Sequence, residues 1–242
     1  MAGLARLTEH YNAKYGAADF KSVTPVPLVK HPKDRRQLAV SVASRQPGGR
    51  YLEIGAGDGG TILPLVDLYD ELVGTDLSSV RTREMQLLFQ HNPRVQILQN
   101  NLEVEGLPFG MNQFDTVAMI DVIEHLVDPI GALIEIHRVL KPNGRLIVHT
   151  PNIAKWTRRV RLLAGYFPST ASYQEGLICH DGKTPTDLHD EGHLHYFTFR
   201  SLRRLAVERA GFTRVVPCGY GKPVLCKVWP ELFSELSVIL YK

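Results

Sequence analysis

The feature that most constrains this chain is the run Tyr51-Leu52-Glu53-Ile54-Gly55-Ala56-Gly57-Asp58-Gly59-Gly60. It reads as a buried strand carrying an acid, then a glycine-rich turn, then a helix opening at Thr61. Gly55 and Gly57 suit a turn that needs positive φ or close approach of backbone to a ligand, because glycine has no Cβ to clash. Such a turn at the carboxyl end of a strand, feeding a helix N-terminus, is the nucleotide-binding corner of open α/β sheets. The spacing Gly55-x-Gly57-x-x-Gly60 also fits a dinucleotide fingerprint. Glu53 and Asp58 separate the readings. Two carboxylates beside the turn repel a pyrophosphate and attract a cationic ligand.

The rest of the chain alternates strand and helix, which predicts a mainly parallel sheet with helices on both faces. Strands are expected at 50–54, 71–75, 94–98, 116–120 and 145–149. Helices are expected between them at 61–69, 79–90 and 130–140, the last stopped by Pro142-Asn143-Gly144. A helix at 201–210 ends at Gly211, and a strand at 213–218 follows. A short helix near 230–234 precedes a last apolar strand at 236–241. Residues 1–46 read as a helical cap. Leu4, Leu7, Tyr11 and Tyr15 fall at helical spacing, Pro25 and Pro27 interrupt, and a second helix runs over 33–45 with Leu38 and Val42 inward. Tyr11, Tyr15, His31 and Arg36 are candidate lid contacts, set against ordinary packing. Residues 153–195 break the alternation and read as an insertion of functional or mobile character.

Length and charge bound the function. A chain of 242 residues suits one domain with one good-sized core. A formal net charge of +3 gives no case for nucleic acid as a partner. The three cysteines, Cys179, Cys218 and Cys226, form no C-x-x-C pair and no disulfide framework. The first residues are polar with no apolar leader, and no apolar run reaches the ~18 residues of a membrane span, so a cytoplasmic location is expected.

Several further motifs carry a resemblance. They are Val73-Gly74-Thr75-Asp76-Leu77-Ser78, Leu107-Pro108-Phe109, Phe114-Asp115, Asp121-Val122-Ile123-Glu124-His125-Leu126 and Arg138-Val139-Leu140-Lys141-Pro142-Asn143-Gly144. With Leu52-Glu53-Ile54-Gly55-Ala56-Gly57-Asp58-Gly59 they resemble the class I S-adenosylmethionine-dependent methyltransferases, closely over 45–152 and loosely beyond. The resemblance implies a Rossmann-like, doubly wound, seven-stranded sheet whose last strand is antiparallel. It implies S-adenosylmethionine as cofactor, S-adenosylhomocysteine as product, and a small-molecule acceptor. The Asp/Asn-Pro-Pro-Tyr/Phe signature of DNA-adenine and glutamine modification is missing after the fourth strand. A hydroxyl acceptor therefore comes ahead of nitrogen or carbon, ahead of a non-catalytic cofactor-binding protein, and well ahead of a nicotinamide-dependent oxidoreductase.

The resemblance also suggests roles. Glu53, Gly55, Ala56, Gly57 and Asp58 would hold the cofactor's amino-acid end and the turn beneath it. Asp76 would accept hydrogen bonds from the ribose hydroxyls, as an acid at that strand end does in nucleotide-binding sheets, with Leu77 packed on the adenosine. Asn101 and Leu102 fall where relatives bind adenine, and Asn100 fills that place after a one-residue shift. Asp121 would border the transferred methyl. His125 is a candidate base, weighed against a histidine that braces its loop. The run Asp121-x-x-Glu124-His125 also resembles ubiquinone-biosynthesis O-methyltransferases, in which such a run can hold a divalent ion, the lesser reading here. His193 and His195 head a cluster with His180, His189, Asp187, Asp190 and Cys179. Acceptor contact or deprotonation is favoured for them over zinc. Lys155, Arg158, Arg159 and Arg161 suggest an anionic acceptor, against a solvated charged face.

Overall fold

Alternation along Arg50–Ile54 (β1) decides the layers. Tyr51 packs on one face with Leu72, Ala118, Ile147 and Ile239. Leu52 and Ile54 pack on the other with Val117, Met119, Leu146, Val148, Val238 and Leu240. Period-two side-chain direction in strands buried on both faces produces two half-cores. The computed structural model describes residues 9, 12–13, 23–166, 168–170, 193–221 and 224–242. The expected stripe at Leu4, Leu7, Tyr11 and Tyr15 lies outside them, as do Cys179, His180, Asp187, His189 and Asp190.

The remaining strands are β2 (Glu71–Asp76), β3 (Val95–Gln99), β4 (Phe114–Ile120), β5 (Leu140–Thr150), β6 (Arg214–Cys218) and β7 (Leu236–Tyr241). Their order in the sheet is β3-β2-β1-β4-β5-β7-β6. The pairs among β1 to β5 are parallel, and β7 runs antiparallel to both β5 and β6. This is the expected seven-stranded, mainly parallel sheet with an antiparallel last strand.

Helix α1 (Arg35–Ala43) and helix α2 (Ser79–Phe89) cover the Tyr51 face. Helix α3 (Leu102–Glu105) is a single turn after β3. Helix α4 (Pro129–Val139) covers the opposite face with α6 (Phe199–Arg204), which runs on into a π-helical turn, Leu205–Arg209. Helix α5 (Trp156–Leu163) and the one-turn helices α7 (Leu225–Val228) and α8 (Pro230–Phe233) lie after β5 and β6. Short polar residues start the long helices. Asp34 accepts from the Gln37 N–H, Ser78 from Arg81, and Asp128 from Gly131 behind Pro129. At the start of α2 the Asn12 side-chain oxygen accepts from the Ser79 N–H at 2.9 Å.

Two expectations fail locally. The helix at 61–69 is only a 3₁₀ turn, Leu63–Leu65. Pro64 has no N–H to give, and the surrounding bonds run from Leu65 to Ile62 and from Leu68 to Leu65, the three-residue pattern. Pro142-Asn143-Gly144 does not separate α4 from its strand. It forms a bulge inside β5, between the pairs Phe114–Leu140 and Thr116–Arg145, with Asn143 at φ 64°. The stretch that breaks the alternation after residue 153 opens with α5.

Arg145 ties α1 to the middle of the sheet. It is 4% exposed and has no carboxylate partner among the described residues. Its guanidinium donates to the Ala43 carbonyl at 3.0 Å, the Gln46 carbonyl at 3.3 Å, the Gln46 side chain at 2.7 Å and the Thr116 hydroxyl at 3.2 Å. A cation there satisfies carbonyls that the end of α1 leaves open and faces the negative end of the helix dipole. Arg145→Ala strands those carbonyls in a buried place. Chemical denaturation is expected to show a loss of about 2–4 kcal/mol, and Arg145→Lys, which lacks the fork, to recover less than half of it.

Candidate active site

The strand order reverses between β1 and β4, and there the carboxyl edge of the sheet opens a cavity of about 450 Å³. That is the size of a small-ligand pocket at the switch point of an open α/β sheet. The cavity wall takes in Glu53, Gly55, Ala56, Gly57, Asp58, Asp76, Leu77, Asn101, Leu102 and Asp121, the ten residues read from sequence as cofactor contacts. Of the three candidate histidines it takes in His125, and neither His193 nor His195.

The glycine turn is built to lie close. Gly55 has φ 70°, and a Cβ on it would stand 2.4 Å from the Val122 side chain. Gly57 has φ 59°, and a Cβ there would enter open space in the cavity. The Gly57 N–H and the Ser78 N–H each donate to the Asp76 carboxylate at 2.9 Å, which locks that side chain at the rim. Burial raises the pKa of Asp76, and those two N–H groups pull it back.

Glu53 is 3% exposed and accepts from the Thr61 hydroxyl at 2.6 Å and the Tyr51 hydroxyl at 3.1 Å. Burial pushes it up to about 7 against those bonds and the field of Arg36. Asp58 accepts an Arg36 fork at 2.5 and 3.3 Å and the Gly60 N–H at 2.9 Å. Asp121 leaves β4 at φ 54°, a left-handed backbone that non-glycine residues adopt at a cost and mostly at functional sites. Its carboxylate pairs with Arg35 and lies 2.5 Å from His149 Nδ1, and His149 Nε2 is 3.1 Å from the Tyr220 hydroxyl.

Arg35 escaped the sequence reading, and Arg36 entered it only as a lid contact. A signal was there. Two arginines open a helix whose first turn contains no acid, against the helix dipole, which implies partners elsewhere in the fold.

The two asparagines are now distinct. Asn101 caps α3, and its side-chain oxygen accepts from the Glu103 N–H at 3.2 Å. Asn100 donates to the Gly106 carbonyl at 2.9 Å, while its buried Oδ1 has no partner among the described residues. An unpartnered acceptor in a cavity wall is costly unless a ligand uses it.

After β4, Glu124, His125 and His193 come together with their donor atoms within 4.8 Å of one another. The two imidazole rings meet edge to face at 4.7 Å between centroids. His193 also bonds the Thr170 hydroxyl at 2.7 Å through Nδ1. A carboxylate and two imidazoles suit a divalent ion with an open position. Asp121, weighed from sequence as a third ligand beside Glu124 and His125, is engaged by Arg35 and His149 instead. Burial first, and the Asp121 charge second, push Glu124 up to about 8. The His195 N–H donates to the Glu124 carbonyl at 3.1 Å, while its ring lies 6.0 Å from Phe197.

The basic run divides. Lys155 and Arg158 both pair with Glu235, at 2.9 and 2.6 Å. Burial pushes Glu235 up, but those two cations prevail and hold it near 2. Lys155 and Arg158 thus serve the fold, while Arg159 and Arg161 are exposed.

Residues 31–216 match the family described as "Methyltransferase domain". A ubiquinone biosynthesis O-methyltransferase of Cereibacter sphaeroides is 32% identical over 105 residues, 43% of this chain and 42% of that protein. A demethylmenaquinone methyltransferase of Renibacterium salmoninarum is 30% identical over 113 residues, 47% of this chain and 46% of that protein. The match thus spans less than half the length of either relative. Among solved structures, an S-adenosylmethionine-dependent methyltransferase from Mesorhizobium loti superposes with a TM-score of 0.60 at 16% identity, covering 86% of this chain and 97% of that one. That likeness is one of fold.

Glu53 and Glu124 give the fold a pH signature. Both stay protonated in the folded chain where an unfolded carboxyl, with its ordinary pKa of 4.5, has ionised. Their contribution is complete below that value and is lost as pH rises through about 7 and about 8. Glu124→Gln is expected to flatten the fall in stability between pH 5 and pH 9, by at most about 1.4 kcal/mol per pH unit. Thermal melts of both proteins across that range check it, and parallel curves would contradict it.

Proposed function

The chain belongs to the methyltransferase domain family, and from that premise we propose that it methylates a hydroxyl group of a small molecule with S-adenosylmethionine as donor. The observation that carries this reading is the cavity at the switch point, where buried Glu53 and rim-locked Asp76 flank a left-handed glycine turn. The residues present fit the cofactor. Asp76 offers a fixed carboxylate for paired hydroxyls, and Asn100, in the same wall, carries a buried amide oxygen with no partner among the described residues, an acceptor of the type an exocyclic amine needs. Glu53 would face the ammonium end, and a cation there draws its raised pKa down, so that it ionises on binding. Arg36, held over the turn by Asp58, would meet a carboxylate.

When bound, the cofactor supplies an electrophilic methyl on a sulfonium. The chain's own task is alignment of two reactants, which at best contributes ~7–11 kcal/mol. A hydroxyl acceptor also needs its proton removed, and His125, in the cavity wall beside His193, is the group assigned to it. The O-methyltransferase among the relatives supports oxygen as the acceptor atom.

Calorimetry with S-adenosylmethionine and S-adenosylhomocysteine tests the reading. Saturable heat is expected, with Asp76→Ala weakening binding about 10–100-fold. Asn100→Ala is expected to weaken it about tenfold, and Asn101→Ala to leave it within about threefold, since that side chain only caps a short helix. No heat with the intact folded chain overturns the reading.

A further inference from the structure

Among the described residues, three that are not glycine have positive φ: Asn112, Asp121 and Asn143. Asparagine tolerates that region readily. Asp121 is the acid among them, and it lies in the cavity wall. Its N–H donates to the His149 carbonyl of β5 at 3.0 Å, which fixes the left-handed turn against the sheet. Both carboxylate oxygens are then engaged. Oδ1 lies 2.5 Å from His149 Nδ1, and Oδ2 pairs with the Arg35 Nε.

His149 is 4% exposed, and its Nε2 lies 3.1 Å from the Tyr220 hydroxyl. Burial raises the pKa of that phenol, so it stays protonated and donates to Nε2. The other ring nitrogen, Nδ1, therefore carries the hydrogen that Asp121 accepts. One line of contacts results, Tyr220–His149–Asp121–Arg35. It runs from just past β6, through the ends of β5 and β4, to the first residue of α1.

Arg35 is the open end of that line. Its side chain is 54% exposed, lines the cavity, and makes no other ion pair or hydrogen bond among the described residues. A guanidinium carries five N–H donors in a rigid plane, so a grip at Nε orients the plane and leaves donors at the Nη end for a ligand. The other two arginines of the wall are engaged, Arg36 by Asp58 and Arg81 by Glu84. β2 and β4 flank β1 on opposite sides, so Asp121 and Arg35 lie across the cavity from the Asp76 rim.

We propose that Arg35 is the anchor of the methyl acceptor: its guanidinium, oriented by Asp121, His149 and Tyr220, pairs with a carboxylate on the molecule to be methylated. The inference rests on the methyltransferase reading, which gives the Asp76 rim to the cofactor and the β4 side to the acceptor. A carboxylate fits better than a phosphate. One guanidinium, part of whose charge Asp121 offsets, suits a monoanion, and a dianion meets no second uncommitted arginine in this wall. Ile120, Val122 and Leu126 on the same side offer apolar surface to the acceptor's body. Asp121, His149 and Tyr220 are positioning residues.

The probes are benzoate, its uncharged isostere benzamide, and phenyl phosphate, each titrated into the full chain saturated with S-adenosylhomocysteine and followed by ligand-observed NMR. Benzoate is expected to bind about tenfold more tightly than benzamide. Arg35→Gln is expected to bring the two within about twofold of each other, and Arg35→Lys to restore only part of the preference, since an ammonium lacks the fork. Tyr220→Phe is expected to weaken benzoate about threefold and to leave benzamide unmoved. A merely structural role would move both probes together. Calorimetric affinity for S-adenosylhomocysteine alone is expected to stay within about threefold in Arg35→Gln. The proposal is overturned by equal or absent binding of benzoate and benzamide, or by a preference that survives Arg35→Gln. Tighter binding of phenyl phosphate than of benzoate also overturns it, and so does a loss of S-adenosylhomocysteine affinity in Arg35→Gln, which would give Arg35 to the cofactor. If the unaltered chain gives no heat with S-adenosylhomocysteine, the methyltransferase reading falls and this inference with it. If it gives heat and only the carboxylate preference is missing, this inference falls alone.

Discussion

The structure turns on the close approach of Gly55 to Val122. β1 and β4 lie side by side at the place where the sheet reverses its order, and each must release its chain into a loop there. Gly55 leaves β1 in the left-handed region with no Cβ, and Val122, one residue past the strained Asp121, fills the space a Cβ would take. Both residues line the pocket, so that packing closes its wall where the two strand ends diverge. A bulkier residue at 55 closes the contact and displaces the loop that carries Asp121, Glu124 and His125.

Around that floor the charges form two clamps from one helix. Arg35 and Arg36 open α1 and reach Asp121 and Asp58 on the two sides of the cavity. Each pair is partly exposed and weak by itself, but the helix that presents them is held rigidly by Arg145 beneath its far end. Stability and site geometry are coupled through α1. The carboxyl groups Glu53 and Glu124 add a second coupling, because burial makes both more basic than a solvated acid.

Much of the fold was legible in advance because buried parallel strands alternate with amphipathic helices. The misreadings have local causes. Pro64 turned an expected helix into a single 3₁₀ turn. Asn143, tolerating positive φ, turned an expected helix stop into a bulge within β5. The basic run from Lys155 to Arg161 looked like one charged patch, yet Glu235, some 80 residues on in the chain, takes two of its members. Helical spacing shows which residues share a face and does not show which face the body holds.

The amino-acid sequence by itself determined the strand and glycine turn over Tyr51–Gly60, and through the family resemblance of its motifs it pointed to ten of the residues that line the cavity and to the antiparallel ending of the sheet. The strand and turn follow from hydrophobic period and glycine stereochemistry, both local properties, while the other two were legible only through the resemblance. Tertiary structure alone decided that the Asn100 side-chain oxygen is left without a partner while that of Asn101 caps α3, that His193 joins His125 while His195 turns to Phe197, and that Glu235 takes Lys155 and Arg158. Each of these depends on what a distant segment brings within about 3–6 Å, and contact across that range is set by packing between elements, which no local pattern encodes.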